Sequence, residues 1–356
     1  VVMAAAEDLG SAIFDALRVP EKFAAALELL GSAALHREDV LVMREEGAYK
    51  RSILEILCTS REFGLDGRRD EWAAAARRVA ALLTVDDVLA RAQLWRSHLT
   101  MATSCGSEDW AVAMAERCLG SPLFTKEHQQ DVIRAATTAA MVELAELLAT
   151  NMDPSALLEG DCNGDCCLSL ALKRSDGVCF QPIAQQIPED LLLQYRADKR
   201  GKTVLHLAAS LLRWEAVDFL VERVPELAAE EGAACLAAVN PDMTSPAPPI
   251  EVYVKLVQAT PVELLMRPMG YWGQTALHAA VGSYWMPHVE ALLQHLPPEA
   301  KAIQDSSGST ALDVAEQRAR GAVPYRDRYG QERFNAEGAA MAALLAMGRM
   351  TKAAPT

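Results

Sequence analysis

The sequence predicts an all-α fold assembled from repeated units, and three observations carry that expectation. First, three segments share one order of residues: Gly201, Thr203, Leu205, His206, Ala208 and Ala209; Gly273, Thr275, Leu277, His278, Ala279 and Ala280; and Gly308, Thr310, Leu312 and Ala315. Second, the Leu of that order serves as a marker along the chain: Ile13, Leu54, Leu99, Ile133, Leu168, Leu205, Leu236, Leu277 and Leu312. The intervals are 41, 45, 34, 35, 37, 31, 41 and 35 residues. Third, 51% of the residues are hydrophobic but only 6% aromatic, so the apolar mass is Ala, Leu and Val. Small side chains let helices approach closely, as stacked helix pairs require.

The pattern Gly-x-Thr-x-Leu-His-x-Ala resembles the ankyrin repeat, a turn followed by two antiparallel helices, with a period of roughly 33 residues. The resemblance implies an ankyrin-repeat solenoid of about nine helix-turn-helix units with short hairpin turns. Insertions fall in the second, seventh and last units. Residues 1–91 read as degenerate N-terminal repeats, 92–320 as ankyrin repeats, and 321–356 as an inserted loop and a C-terminal capping helix, all one continuous solenoid.

Each unit is expected from a small polar residue two before the marker and an apolar one three after it. Ser11, Ile13 and Ala16 fit, followed by a second helix at Glu21–Leu30. Ser52, Leu54 and Leu57 fit, with a Gly-containing insertion at Gly64–Gly67 before a helix at Asp70–Leu83. Ser97, Leu99 and Ala102 precede Asp109–Leu119; Asp131, Ile133 and Ala136 precede Val142–Ala149. Cys166, Leu168 and Ala171 follow Asp161 and Gly164 in the turn slots. The unit at Leu205 is complete. The unit at Leu236 has Gly232 in the turn slot and Ala234 before the marker, then an insertion at Asn240–Pro249 and a helix at Ile250–Ala259. After Leu277 and Leu312 comes an insertion at Gly321–Glu332 and a terminal helix at Ala336–Met350.

Gly in the turn supplies the positive φ that a tight hairpin needs. Thr and His are expected to fasten the turn to the first helix and to the neighbouring unit by side-chain-to-backbone bonds. The Pro that usually follows Thr is replaced by Val204, Ala276 and Ala311, so the helix start is set less rigidly. No unit buries its own apolar face, so stacking is obligatory.

The formal net charge of −14 argues against a broad phosphate-binding surface, so no nucleic acid is expected. No apolar run reaches about 18 residues, so no membrane insertion is expected. Val1–Asp8 lacks the basic start and apolar core of a secretory signal. The eight cysteines are scattered, which reads as reduced thiols in an intracellular compartment, the cytoplasm first, with an organelle open if a targeting segment has been removed.

Chemistry-bearing groups are few. His206 and His278 occupy the motif's His slot and are expected to be structural. Cys162, Cys166 and Cys167 cluster with Asp161 and Asp165, but a zinc site wants four ligands in paired spacing and no second pair is near. No phosphate loop, dinucleotide fingerprint or His-Glu-x-x-His occurs. The chain reads as non-catalytic, with no cofactor and no metal.

What remains is recognition surface. By the resemblance, the turn tips and first-helix ends line a concave groove that binds a partner protein. Carried over by position, the binding residues are Lys173, Arg174, Lys199, Arg200, Lys202, Leu211, Tyr271, Trp272, Gln274, Tyr284 and Trp285. Tyr, Trp and Arg are the residue types that anchor interfaces. Three alternatives stay open: a structural subunit built permanently into a large assembly, an effector or ubiquitin-ligase adaptor, and an enzyme with a disguised Cys site.

Overall fold

The structure, a computed structural model, describes Leu30, Leu54, Leu57, Cys58 and residues 69–90, 97–161, 164–197, 201–238, 247–270, 272–283, 285–320 and 333–347. The first expected unit around Ile13, the Gly64–Gly67 insertion and the Gly321–Glu332 insertion lie outside them. Among the described residues there are helices and turns, with three isolated bridges, Arg196–Thr203, Met269–Gln274 and Gln304–Thr310, and no strand. The chain divides into two compact units, Val1–Ile187 and Pro188–Thr356.

In the first unit the helices are α1 (Arg69–Leu82), α2 (Val85–Leu89), α3 (His98–Cys105), α4 (Glu108–Cys118), α5 (Lys126–Ala139), α6 (Val142–Asn151), α7 (Pro154–Leu157), α8 (Cys167–Lys173) and α9 (Phe180–Gln185). They pack in two rows. The first helices α3, α5 and α8 lie against one another, and the second helices α1, α4, α6 and α9 form the other row. In the second unit the order is α10 (Glu189–Gln194), α11 (Val204–Ser210), α12 (Trp214–Arg223), α13 (Pro225–Ala238), α14 (Ile250–Ala259), α15 (Val262–Leu265), α16 (Ala276–Gly282), α17 (Met286–His295), α18 (Ala311–Ala319) and α19 (Arg333–Met347). Here α11, α13, α16 and α18 make one row and α12, α14, α17 and α19 the other.

The marker residues explain the packing. Leu54, Leu99, Ile133, Leu168, Leu205, Leu236, Leu277 and Leu312 are all buried, as are the small partners Ala102, Ala136, Ala171, Ala208, Ala280 and Ala315. A Leu at the marker and an Ala three later lie on one helix face, and the Ala keeps the neighbouring helices close. Truncating one such Leu to Ala costs about 2–5 kcal/mol.

Helix starts are fixed by caps where Pro is missing. α11, α16 and α18 begin at Val204, Ala276 and Ala311 after Thr203, Thr275 and Thr310. Each Thr hydroxyl accepts the backbone N–H three residues on, at 3.3, 3.5 and 3.2 Å. The residue three beyond the cap then closes the box in different chemistry. Asp313 takes the Thr310 N–H and hydroxyl at 2.8 and 2.6 Å. Asp87 does the same for Thr84 at 2.8 and 2.7 Å, and Ser169 accepts the Cys166 N–H at 3.0 Å. At Thr203 the closing carboxylate comes from the next repeat: Glu231 accepts the Thr203 N–H and hydroxyl at 3.1 and 2.9 Å.

The seventh unit corrects the sequence expectation. Gly232 is not in a turn. It lies inside α13, which runs unbroken from Pro225 to Ala238 and takes the first-helix place in its row. A Cβ at Gly232 would stand 1.9 Å from Thr260 Oγ1, so this glycine is there for close approach of α13 to the end of α14. The helix expected at Ile250–Ala259 is present with those bounds.

Candidate functional site

The hairpin tips of the second unit are the best-formed candidate surface. Gly201, Gly273 and Gly308 take φ of +79°, +60° and +79°, the left-handed region that lets the chain reverse in so few residues. At the last tip, burial would raise the Asp305 carboxyl, but the Ser307 hydroxyl at 2.6 Å and the backbone N–H groups of Ser309 and Ser307 at 3.0 and 2.8 Å donate to it and hold it below the usual carboxylate range.

The two adjacent tips are fastened together. The Trp272 carbonyl accepts both the N–H and the hydroxyl of Ser306, at 2.9 and 2.8 Å. Gly273 permits this, since its Cβ would lie 3.1 Å from the Ser306 nitrogen. On this fixed backbone Trp272 is 66% exposed, more than the other exposed large apolar residues among the described ones, Leu123 and Val178. Gln274 beside it is half-buried and bridges to Met269.

His278 sits inside the fold. It is fully buried, its Nδ1 lies 2.8 Å from Thr275 Oγ1, and its Nε2 donates to the Ser309 carbonyl at 3.0 Å. One ring therefore ties its own helix cap to the next hairpin, as the motif's His slot implies. His206, half-buried, stands in the same slot of α11.

Trp285 behaves differently from Trp272. It caps α17, is half-buried, and sets its ring 5.3 Å from that of His288. Leu211, at the end of α11, is half-buried, and the next residue, Leu212, turns the chain at φ +58°. All seven residues of α16 are buried, so at that repeat the first helix leaves no side chain in solvent.

The basic residues are largely answered nearby. Lys173 bonds Asp165, and Arg174 bonds the Thr138 carbonyl and grips Asp176 through Nε and a terminal nitrogen at 3.0 and 2.6 Å. The Arg174 hydrogen bonds hold the Asp176 carboxyl below its ordinary value. These belong to the first unit, and half-buried Lys202 to the second. Lys199, Arg200, Tyr271 and Tyr284 lie outside the described residues, as does Cys162.

Burial disfavours the thiolate at four of the described cysteines. Burial pushes Cys118 and Cys179 up to about 11 and Cys167 to about 12, and raises Cys235 further. Cys166 serves as the cap of α8, with its sulfur accepting the Ser169 N–H at 3.4 Å. Among the described residues no group of three or more His, Cys, Asp or Glu is placed to hold a metal ion. None of the helices there is long and apolar enough to cross a membrane.

Sequence reasoning missed two features of this surface. The Ser306–Trp272 clasp joins positions 34 residues apart, and the Glu231 cap joins positions 28 apart. Nothing in a local pattern marks either one.

No family model matches the sequence, and no curated protein matches it. Among solved structures the chain is similar to the ankyrin repeat domain of Bcl-3, a member of the IkappaB protein family. The identity is 22%, over 61% of this chain and 92% of that one, with a TM-score of 0.43. The fold follows from the repeats themselves. Within each unit, hairpins and first helices with second helices returning against them recur in two packed rows, and the fold is an all-α helical-repeat fold.

Proposed function

We propose that the chain is a non-catalytic recognition module that binds a partner protein through its hairpin tips and first-helix ends, with Trp272 as the principal anchor. The observation that carries this is an indole two-thirds exposed on a backbone clasped by Ser306. A Trp side chain buries on the order of 150–250 Å² when covered. On a rigid tip it reaches a partner with little loss of conformational freedom, the economy that makes aromatic residues interface hot spots. Gln274 stands beside it on the same hairpin, and Lys202, Leu211 and Trp285 belong to this reading by position within the same unit. Tyr271, Tyr284, Lys199 and Arg200 belong to this reading by position alone, and Lys173 and Arg174, in the first unit, stand as a separate candidate contact. The acidic balance of the chain favours a protein over a nucleic acid.

A second reading is a permanent subunit of a larger assembly. α19 turns Met341 and Leu345 inward yet leaves Ala339, Ala340 and Ala343 in solvent, a weakly apolar face for a terminal helix. The adaptor and enzyme readings have less behind them. A nucleophilic cysteine needs a depressed pKa, and burial pushes Cys118, Cys167 and Cys179 upward.

Affinity purification under gentle salt, in parallel for the wild-type chain and Trp272→Ala, tests the proposal. A co-purifying protein lost from the Trp272→Ala sample supports tip recognition. A partner retained by both, at fixed stoichiometry through high salt, favours the permanent subunit instead.

A further inference from the structure

We infer that His288 is an acid-sensitive latch on the seam between α14 and α17: neutral, it fastens Pro248 and Trp285 to that seam, and protonation unfastens them. The ring is buried, 5% exposed, at the start of α17. Its Nε2 lies 2.9 Å from the Pro248 carbonyl, 40 residues away in sequence. A carbonyl only accepts, so Nε2 carries the proton and donates. That assignment leaves Nδ1 as a bare lone pair, and this nitrogen is buried with no hydrogen-bond partner. On either side stand aromatic rings, Tyr253 at 4.5 Å edge-to-face and Trp285 at 5.3 Å.

Adding a proton creates a second N–H, at Nδ1, with no protein acceptor among the described residues, and a full charge in an apolar seam. Nε2 keeps its proton, so the Pro248 bond is released only as the charged ring turns out of the seam toward water. The groups that could answer the charge are few. α14 brings Glu251, which is exposed; Tyr253, held neutral because burial raises its pKa; and Lys255, engaged with Asp218 and Glu222. α16 brings His278, bonded to Thr275 and Ser309, and α17 itself carries Glu290 and His295. α19 brings Arg333 and Glu337, whose side chains lie outside the described ones. Burial holds the ring below its ordinary 6.5, with the Pro248 bond opposing.

The sign follows. The folded-state pKa is depressed, so the stability that the neutral ring contributes is fully present above pH 6.5. It is lost progressively as pH falls from there through the folded-state value. The first parts to feel this are the groups the ring touches outside its own helix interior: Pro248 before α14, Tyr253 on α14 and the Trp285 cap.

The test uses the full chain with its tryptophans labelled at the indole nitrogen, and Trp285 identified by Trp285→Phe. The indole resonance of Trp285 should shift or broaden as pH falls below 6.5, reversibly. In His288→Gln, which keeps an N–H for Pro248 and does not titrate, it should stay in place. A Trp285 change that persists in His288→Gln, or none in the wild type in mildly acidic buffer, overturns the latch. Should His288→Gln fail to fold, the wild-type ring decides through its own carbon resonances. A His288 midpoint below 6.5 that coincides with the Trp285 change supports the proposal, and an ordinary midpoint or a non-coincident change overturns it.

Discussion

Gly232→Ala separates the packing account of α13 from simple helix propensity. Inside a helix, Ala is better than Gly by about 1 kcal/mol, so propensity alone predicts a more stable protein. The structure predicts the reverse. The new Cβ would meet Thr260 at 1.9 Å from Oγ1, 3.0 Å from Cβ and 3.1 Å from Cγ2. Thr260 is 1% exposed and its hydroxyl is bonded to the Leu256 carbonyl at 2.6 Å, so it has no free direction to move. Overpacking of a filled interior costs roughly 1–3 kcal/mol, and an approach to 1.9 Å belongs at the upper end. Less the propensity gain of about 1 kcal/mol, the net loss is about 2 kcal/mol. Urea unfolding followed by circular dichroism reads this as a lower midpoint. Thr260→Ala in the Gly232→Ala background removes Oγ1 and Cγ2 but not the 3.0 Å contact, so it should restore part of the loss. A Gly232→Ala protein that is more stable than wild type, or a double variant with no recovery, would refute the close-approach account.

Other consequences are simpler to check. Ala140 turns the chain between α5 and α6 at φ +65° with a Cβ in place, so Ala140→Gly should raise thermal stability by about 1 kcal/mol. His278→Ala removes the link from the α16 cap to Ser309 and should cost about 1–3 kcal/mol without touching any other property. A thiol reagent at neutral pH should label half-buried Cys105 before Cys118, Cys167 and Cys179, which mass spectrometry of the modified peptides would show; early labelling of Cys167 would contradict its burial.

Much of the repeat framework is legible in the sequence because it is written in spacing. Thr275, Leu277 and Ala280 cap and bury as their positions imply, and the same logic finds Cys166 and Leu168, where the cap atom is a sulfur. Gly232 misleads because glycine answers two different needs, a reversed turn and a close approach, and the pattern cannot tell which. The short helices α7, α10 and α15 pass unnoticed at four to six residues, although each begins at or just after a Pro, Pro154, Pro188 and Pro261. The tip surface is partly legible. An aromatic residue at a hairpin tip marks Trp272 correctly as exposed, but the same reasoning applied to Trp285 cannot foresee His288 beside it. Cross-repeat bonds such as Glu231 to Thr203 join residues that no local window contains.

The central claim is that Trp272 is a recognition residue and not a packing residue. It is tested most directly by measuring, on one preparation, the melting temperature and the affinity for a co-purified partner of wild type, Trp272→Ala and Trp285→Ala. Trp272→Ala should leave the melting temperature in place and weaken binding by about 2 kcal/mol or more. Trp285→Ala, which strips a ring from His288, should lower the melting temperature whether or not it weakens binding. A Trp272→Ala protein that melts early while its folded fraction binds with wild-type affinity would contradict the account.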